Sequence, residues 1–224
     1  VVDVYHCGKK IIKDEKMEVK PCPPHLKNTV HVSGFSEERL KLKHSGEKAH
    51  VIQMLEKQIV TKHIIEEVPC AEKDGEKYFE SNEEYQKIAV IERHKNTGKM
   101  GVGIVKGYGI RGGAIASSVS HDSHNIIVVG DNDPDMALAV KEMIRTQGGY
   151  TLVCNGEIYG TLPLPVMGLM SDAGYESVNE ALARMIPKAH EMGVKDGFDP
   201  FITLSFMALP VIPEIRITPR GIYL

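Results

Sequence analysis

Apolar residues in this chain fall in short runs of two kinds, some alternating or continuous and others spaced like one face of a helix. Val2, Val4 and Ile11, Ile12 flank HCGKK, which predicts two strands and a tight turn within residues 1–19. Such a hairpin is marginal by itself and needs a larger sheet. KPCPPHLKN (20–28) reads as a linker, because its prolines remove backbone donors. In AHVIQMLEKQIVTKHIIEEV (49–68), β-branched content and alternation predict strands. EKDGEKY (72–78) carries the turn pair Asp74-Gly75. YQKIAVIERH (85–94) reads as a buried strand and KNTGK as the turn into MGVGIVKG. NIIVVG (125–130) is a continuous apolar run, which predicts a strand covered on both faces. YTLVCNGEIYGTLPL reads as two strands joined at Asn155-Gly156.

The helical spacing is clearest in DNDPDMALAVKEMIRTQGG, where Met136, Val140, Met143 and Ile144 share a face. Asp133 is the expected cap, Pro134 suits the first turn, and Gly148 ends the element. YESVNEALARMIPKAHEMG predicts a second helix, kinked or broken at Pro187, and SEERLKLK (36–43) a short one capped by Ser36. In DPFITLSFMALPVIPEIRIT, Pro210 and Pro213 limit any regular element. The order predicts an α+β fold: mixed β-sheet layers with two or three helices packed on them, preceded by a short β-hairpin. The expected division is residues 1–24 as the end of one small β-unit with its linker, then 25–224 as a domain with a β-rich part (25–100) and an α/β part (101–224).

Composition narrows the class only modestly. A length of 224 residues with 42% hydrophobic and 25% charged residues is ordinary for a globular protein. A formal charge of -3 gives no sign of nucleic-acid or membrane binding, and no apolar run approaches the roughly 20 residues of a membrane helix. Cys7, Cys22, Cys70 and Cys154 form no C-x-x-C pair, which suits free thiols in a cytoplasmic protein. The opening VVDVYH starts mid-pattern without Met, so the natural chain is expected to begin well upstream.

Candidate chemistry concentrates in SSVSHDSHN, just ahead of the apolar NIIVVG run. His121 and His124 are three apart and would share a face on a helix, where a metal needs at least one further ligand. Asp122 beside His121 suits a proton-transfer pair. A polar turn, in which Ser, Asp and Asn side chains satisfy backbone groups, fits the same letters. The catalytic candidates are therefore His121, Asp122 and His124, and the substrate-binding or lid candidates are Ser120, Ser123 and Asn125. Gly107, Gly109 and Gly112 have G-x-G-x-x-G spacing, but the following segment is a poor helix, so a glycine-rich turn between strands is expected. The remaining histidines are scattered, and Met167, Met170, Met185 and Met192 read as core filler.

Three segments, GYGIRGGAIASSVSHDSHNIIVVGDNDPDMALAV, GEIYGTLPLPVMGLMSD and DPFITLSFMALPVIPEIRITPRGIY, resemble the C-terminal domain of adenine deaminases of the amidohydrolase superfamily. The resemblance implies hydrolysis of adenine to hypoxanthine and ammonia, with manganese or iron activating water in an N-terminal (β/α)8 barrel whose ligands begin with H-x-H. No two histidines here are two apart, and a barrel needs about 250 residues. The resemblance therefore implies a C-terminal portion without the catalytic barrel, holding no metal itself and inactive alone, with the barrel portion, adenine and further copies of itself as partners. It also implies that SHDSHN meets the barrel or closes over the purine; PLPVMGLM and FITLSFMALPVIP are the candidates for an apolar surface against which the barrel docks, with plain burial in the core as the other reading of each. The other expectation is a stand-alone purine- or nucleotide-binding module using the 107–125 loop.

Overall fold

The computed structural model describes residues 3–11, 21–44 and 46–224. Strands β1 (Val4–His6) and β2 (Lys9–Ile11) form the predicted hairpin around Cys7-Gly8; its outer positions Val2 and Ile12 lie outside the described residues. A single 3-10 turn follows at Pro24–Leu26 and another at Glu37–Leu40. The predicted 36–43 helix is only this second turn: Ser36 stands at its start, but its hydroxyl accepts no capping bond. Leu40 is fully buried, so packing rather than propensity holds the segment.

The centre of the molecule is one eight-stranded sheet. Its members are β3 (Ala49–Met54), β4 (Thr61–Glu66), β7 (Tyr85–Ile91), β8 (Met100–Lys106), β9 (Gly113–Ser117), β10 (Ile126–Gly130), β11 (Gly149–Cys154) and β12 (Glu157–Pro163). Strands β5 (Cys70–Lys73) and β6 (Glu76–Phe79) make a separate hairpin at Asp74-Gly75, and β13 (Arg216–Thr218) pairs β14 (Gly221–Tyr223). Across the large sheet the order is β12-β11-β9-β10-β7-β8-β3-β4, antiparallel except where β3 lies parallel to β8.

Two layers cover the sheet, which explains the unbroken apolar strands. Helix α1 (Asp133–Arg145) covers one face, over Ala89, Ile91, Ala114, Ala116, Ile126 and Val128. Helices α2 (Tyr175–Glu191) and α3 (Ile202–Met207) cover the other, over Ile88, Val90, Ile115, Ile127 and Val129. Successive residues of β7, β9 and β10 thus alternate between two cores, as the two-residue period of a strand requires. The α+β architecture, with three helices and a leading hairpin, is the one expected.

Two local expectations change. Asn132, not Asp133, caps α1: its Oδ1 accepts from the Asp135 N–H at 2.8 Å. Asp133 instead pairs with the buried Lys87 ammonium of β7. Pro187 neither breaks nor ends α2, which runs to Glu191. Ala183, whose carbonyl loses its partner to the proline ring, sits on the exposed side, where water replaces the bond. The Asn155-Gly156 turn is as read, with φ of 49° and 82° at its two positions. Among the described residues, no helix is long and apolar enough to cross a membrane.

Candidate functional site

Strand β9 ends at Ser117 and its neighbour β10 begins at Ile126, so residues 118–125 form the connection at one end of the sheet. Its first part is sewn down. Ser118 Oγ donates to Gly168 O at 2.6 Å and accepts from Gly149 N–H at 2.7 Å, and Ser117 Oγ accepts from Val119 N–H at 3.0 Å. These serines act as the polar turn allowed by the sequence. The second part is a tight turn in which His124 N–H donates to Ser120 O at 2.5 Å and His124 itself has a φ of 47°. That left-handed conformation is uncommon for a non-glycine residue, although histidine is among the side chains enriched there.

The candidates part company here. His121 is exposed, stacks on Phe206 of α3 with ring centroids 5.4 Å apart, and places Nδ1 2.9 Å from Asp122 Oδ1. The His121–Asp122 pair is thus brought together. His124 turns inward, and its Nδ1 is buried without a partner. Helical sharing of a metal by the two rings does not occur, because the segment is a turn. No group of three or more His, Cys, Asp or Glu among the described residues is arranged to hold a metal ion. Ser120 and Asn125 are both nearly sealed from solvent, yet Ser120 Oγ and Asn125 Oδ1 lack hydrogen-bond partners. Ser123 is exposed, and its carbonyl meets His94 Nε2 at 2.7 Å.

Buried polar atoms without partners are rare and call for an explanation. Of the five such side-chain atoms among the described residues, three belong to Ser120, His124 and Asn125, and a fourth, Thr29 Oγ1, lines the same cleft as His124. Three clefts ring the loop. One of about 340 Å³ holds Thr29, His31, Arg93, His94 and His124. A second of about 610 Å³ lies on the other side of His94, with Asn125, Lys95, Lys99, Arg220 and Tyr223. A third is apolar, with Val119, Tyr150, Met170 and Tyr175.

Arg93 and His94 escape a sequence reading. Ile91 pairs with Ile126, so the chain leaving β7 passes the residues entering β10 and brings Arg93 beside His124. Arg93 is only 1% exposed. Its Nε donates to His124 O, its Nη2 to Met167 O at 3.0 Å and its Nη1 to Thr29 O at 3.3 Å. Burial brings its guanidinium down to about 10, which leaves it charged at neutral pH. Burial and then the Arg93 charge hold the His124 imidazole below the usual histidine range, which favours its neutral form. Glu92 belongs to the neighbouring turn. Burial opposes its charge, but the N–H groups of Thr97, Lys95 and His94 and the Thr97 hydroxyl outweigh that and take its carboxyl down to about 2.

The glycine loop has a different use. Strand β9, not a helix, follows Gly112, and a Cβ on Gly109 would lie 2.4 Å from Gly193 O. Gly109 therefore permits a close chain crossing, with its φ of 97° a second reason for glycine there. Of the four methionines read as core filler, Met185 and Met192 are buried, whereas Met167 and Met170 are exposed beside the clefts.

The family called Adenine deaminase C-terminal domain matches residues 58–223. The chain belongs to that family. The adenine deaminase of Desulfitobacterium hafniense (strain Y51) is 50% identical over 220 residues, which is 98% of this chain and 38% of that protein. Those of Halalkalibacterium halodurans and Nitratidesulfovibrio vulgaris (strain DP4) are 45% and 42% identical, across 96% and 98% of this chain. The chain thus spans little more than a third of the length of these relatives, and it corresponds to their C-terminal portion. In this adenine deaminase C-terminal domain, the stretch with unsatisfied polar groups is also where the clefts converge.

Proposed function

We propose that this chain is the C-terminal part of a metal-dependent, cytoplasmic adenine deaminase, which converts adenine and water to hypoxanthine and ammonia in purine salvage. The observation that carries this is the 50% identity to an adenine deaminase across 98% of the chain. The manganese or iron that makes water nucleophilic near neutral pH belongs, in this reading, to the N-terminal barrel portion. The 118–125 connection faces that portion and closes over the purine. The unpartnered Ser120, His124 and Asn125 atoms support this reading, since a docked surface or bound base supplies partners that the chain alone lacks. The His121–Asp122 pair, at 2.9 Å and open to solvent, is suited to relay a proton at that boundary. Further copies of the chain complete a homo-oligomer.

The test joins the N-terminal remainder of the Desulfitobacterium relative to this chain. The fusion is expected to deaminate adenine in added manganese, and residues 1–224 alone are not. In the fusion, His121→Ala is expected to lower kcat/KM by about tenfold or more, as for loss of a proton-transfer group. A chain that turns over adenine alone at the fusion's rate, or a fusion indifferent to both His121→Ala and His124→Ala, would overturn the corresponding part of the reading.

A further inference from the structure

Two buried arginines, neither with a carboxylate partner among the described residues, are bound differently. Arg216 spends all four terminal N–H bonds, on Thr61 Oγ1 and on the carbonyls of Ile215, Ile59 and Pro213. Only its Nε, buried and without a partner among the described residues, is left over. Arg93 makes one bond from Nη1 and one from Nη2, so each terminal nitrogen keeps an uncommitted N–H. A buried cation in this state is costly, and its planar fork matches the two oxygens of an oxyanion.

The surroundings are selective. The cleft into which Arg93 opens is lined by Thr29, His31, His94 and His124, with Met167 and Leu169 as its apolar side; among the described residues, no Asp or Glu lines it. Two acids close by in the chain are committed elsewhere: Glu92 to the 94–97 turn and Asp122 to His121. Thr29 Oγ1 and His124 Nδ1 at this cleft both lack partners. Gly168 closes the wall, for a Cβ there would lie 2.7 Å from Arg93 Nη1.

We propose that the Arg93 cleft is an oxyanion-binding site, taking a carboxylate or phosphate against the Arg93 fork with Thr29 and the histidines around it. The oxyanion is either a small free anion or an acidic side chain of the enzyme's N-terminal portion. The site stands on this chain's own geometry and holds whether or not the 118–125 connection closes over a purine.

The imidazole signals of the 224-residue chain, followed by NMR at fixed ionic strength while inorganic phosphate or acetate is added, test it. Saturable shifts at His31, His94 and His124, weakened about tenfold in Arg93→Gln, are expected for a free anion. His31→Ala, an exposed change that keeps the 2.8 Å bond from the His31 N–H to Arg93 O, should weaken binding by a smaller factor. It decides the matter if Arg93→Gln fails to fold, with Thr29→Ala as its companion. In the second arm the N-terminal remainder of the Desulfitobacterium relative replaces the anion. The same signals shifting only with that partner, and reverting in the variants, identify a protein carboxylate. Shifts absent in both arms, or undiminished in the folded variants, overturn the site. Deaminase activity is not read, so this proposal and the proposed function fail separately.

Discussion

At the scale of single residues, the end of the sheet is organised by charges whose partners are backbone groups. Glu92 holds the turn after β7 with both oxygens, accepting from three N–H groups and one hydroxyl. Its carboxyl lies at about 2 in the folded protein against an ordinary 4.5. A depressed carboxylate contributes stability that is complete above its unfolded value and is lost as pH falls through its folded value. The window is therefore pH 4.5 down to about 2. Urea unfolding at several pH values is expected to show Glu92→Gln less stable than the natural chain at pH 7, with the difference closing across that window. A difference independent of pH would mean that the carboxylate charge contributes nothing. Gly168→Ala is a second residue-scale prediction. Its Cβ would strike the Arg93 guanidinium at a left-handed backbone position, so a loss of about 1–3 kcal/mol is expected in the same unfolding measurement. Legibility in the sequence is uneven at this scale. His121, Asp122, His124 and Asn125 could be picked out because polar residues bunch before an apolar run. Arg93 could not. A lone arginine after a strand has no pattern, and its surroundings come from carbonyls at Thr29, His124 and Met167 that only the fold assembles.

At the scale of elements, strands were readable because both faces of the sheet are covered, which turns β10 and residues 88–91 of β7 into unbroken apolar runs. The helix boundaries were less so. Asp133 and Asn132 both have capping side chains, and what separates them is Lys87 on β7, distant in sequence. That ion pair fixes the start of α1 to the middle of the sheet. Lys87 has a side-chain exposure of 7%, so removing its partner strands a buried cation. Asp133→Ala is expected to cost about 3 kcal/mol, whereas Asn132→Ala, which removes the cap and the amide bonds to Asp131 and Asp135 but leaves the ion pair, costs about 1 kcal/mol. The double change Lys87→Met with Asp133→Ala should recover most of the larger loss, because a buried pair exchanged for apolar groups is often nearly neutral. Chemical denaturation of the four proteins decides it. An uncompensated loss in the double variant would place the Asp133 effect in the helix terminus rather than the ion pair.

At the scale of the whole molecule, the question is which face an absent portion would cover. The chain spans 38% of the length of its Desulfitobacterium relative, and under the proposed function an N-terminal portion rests on this surface. Met167, Met170, Ile202 and Val211 are all exposed and come from the two apolar stretches singled out in the sequence, and Tyr175, exposed too, follows the first of them. They lie in or next to segments that border the 118–125 connection: Met170 and Tyr175 share a cleft with Val119, and His121 N–H is bonded to α3 at Ser205 O. Apolar area and unsatisfied polar atoms thus coincide, and burying both in one contact removes two costs together. The opposite side offers less. The edge strand β4 carries Lys62, Glu66 and the His50–His63 contact, and although Ile59 and Ile65 are exposed there, no unpartnered polar side-chain atom among the described residues lies on it. Hydrogen exchange of the 224-residue chain, with and without the N-terminal remainder of the relative, is expected to show protection gained at residues 118–125, 165–175 and 202–211 and little change along β4. Triple replacement of Met167, Met170 and Ile202 by serine should weaken that association about tenfold or more while leaving the fold intact, since each is already solvent-exposed. Protection centred on β4 or on the β1–β2 hairpin would move the docking face to the other end of the sheet and take the proposed role of the 118–125 connection with it.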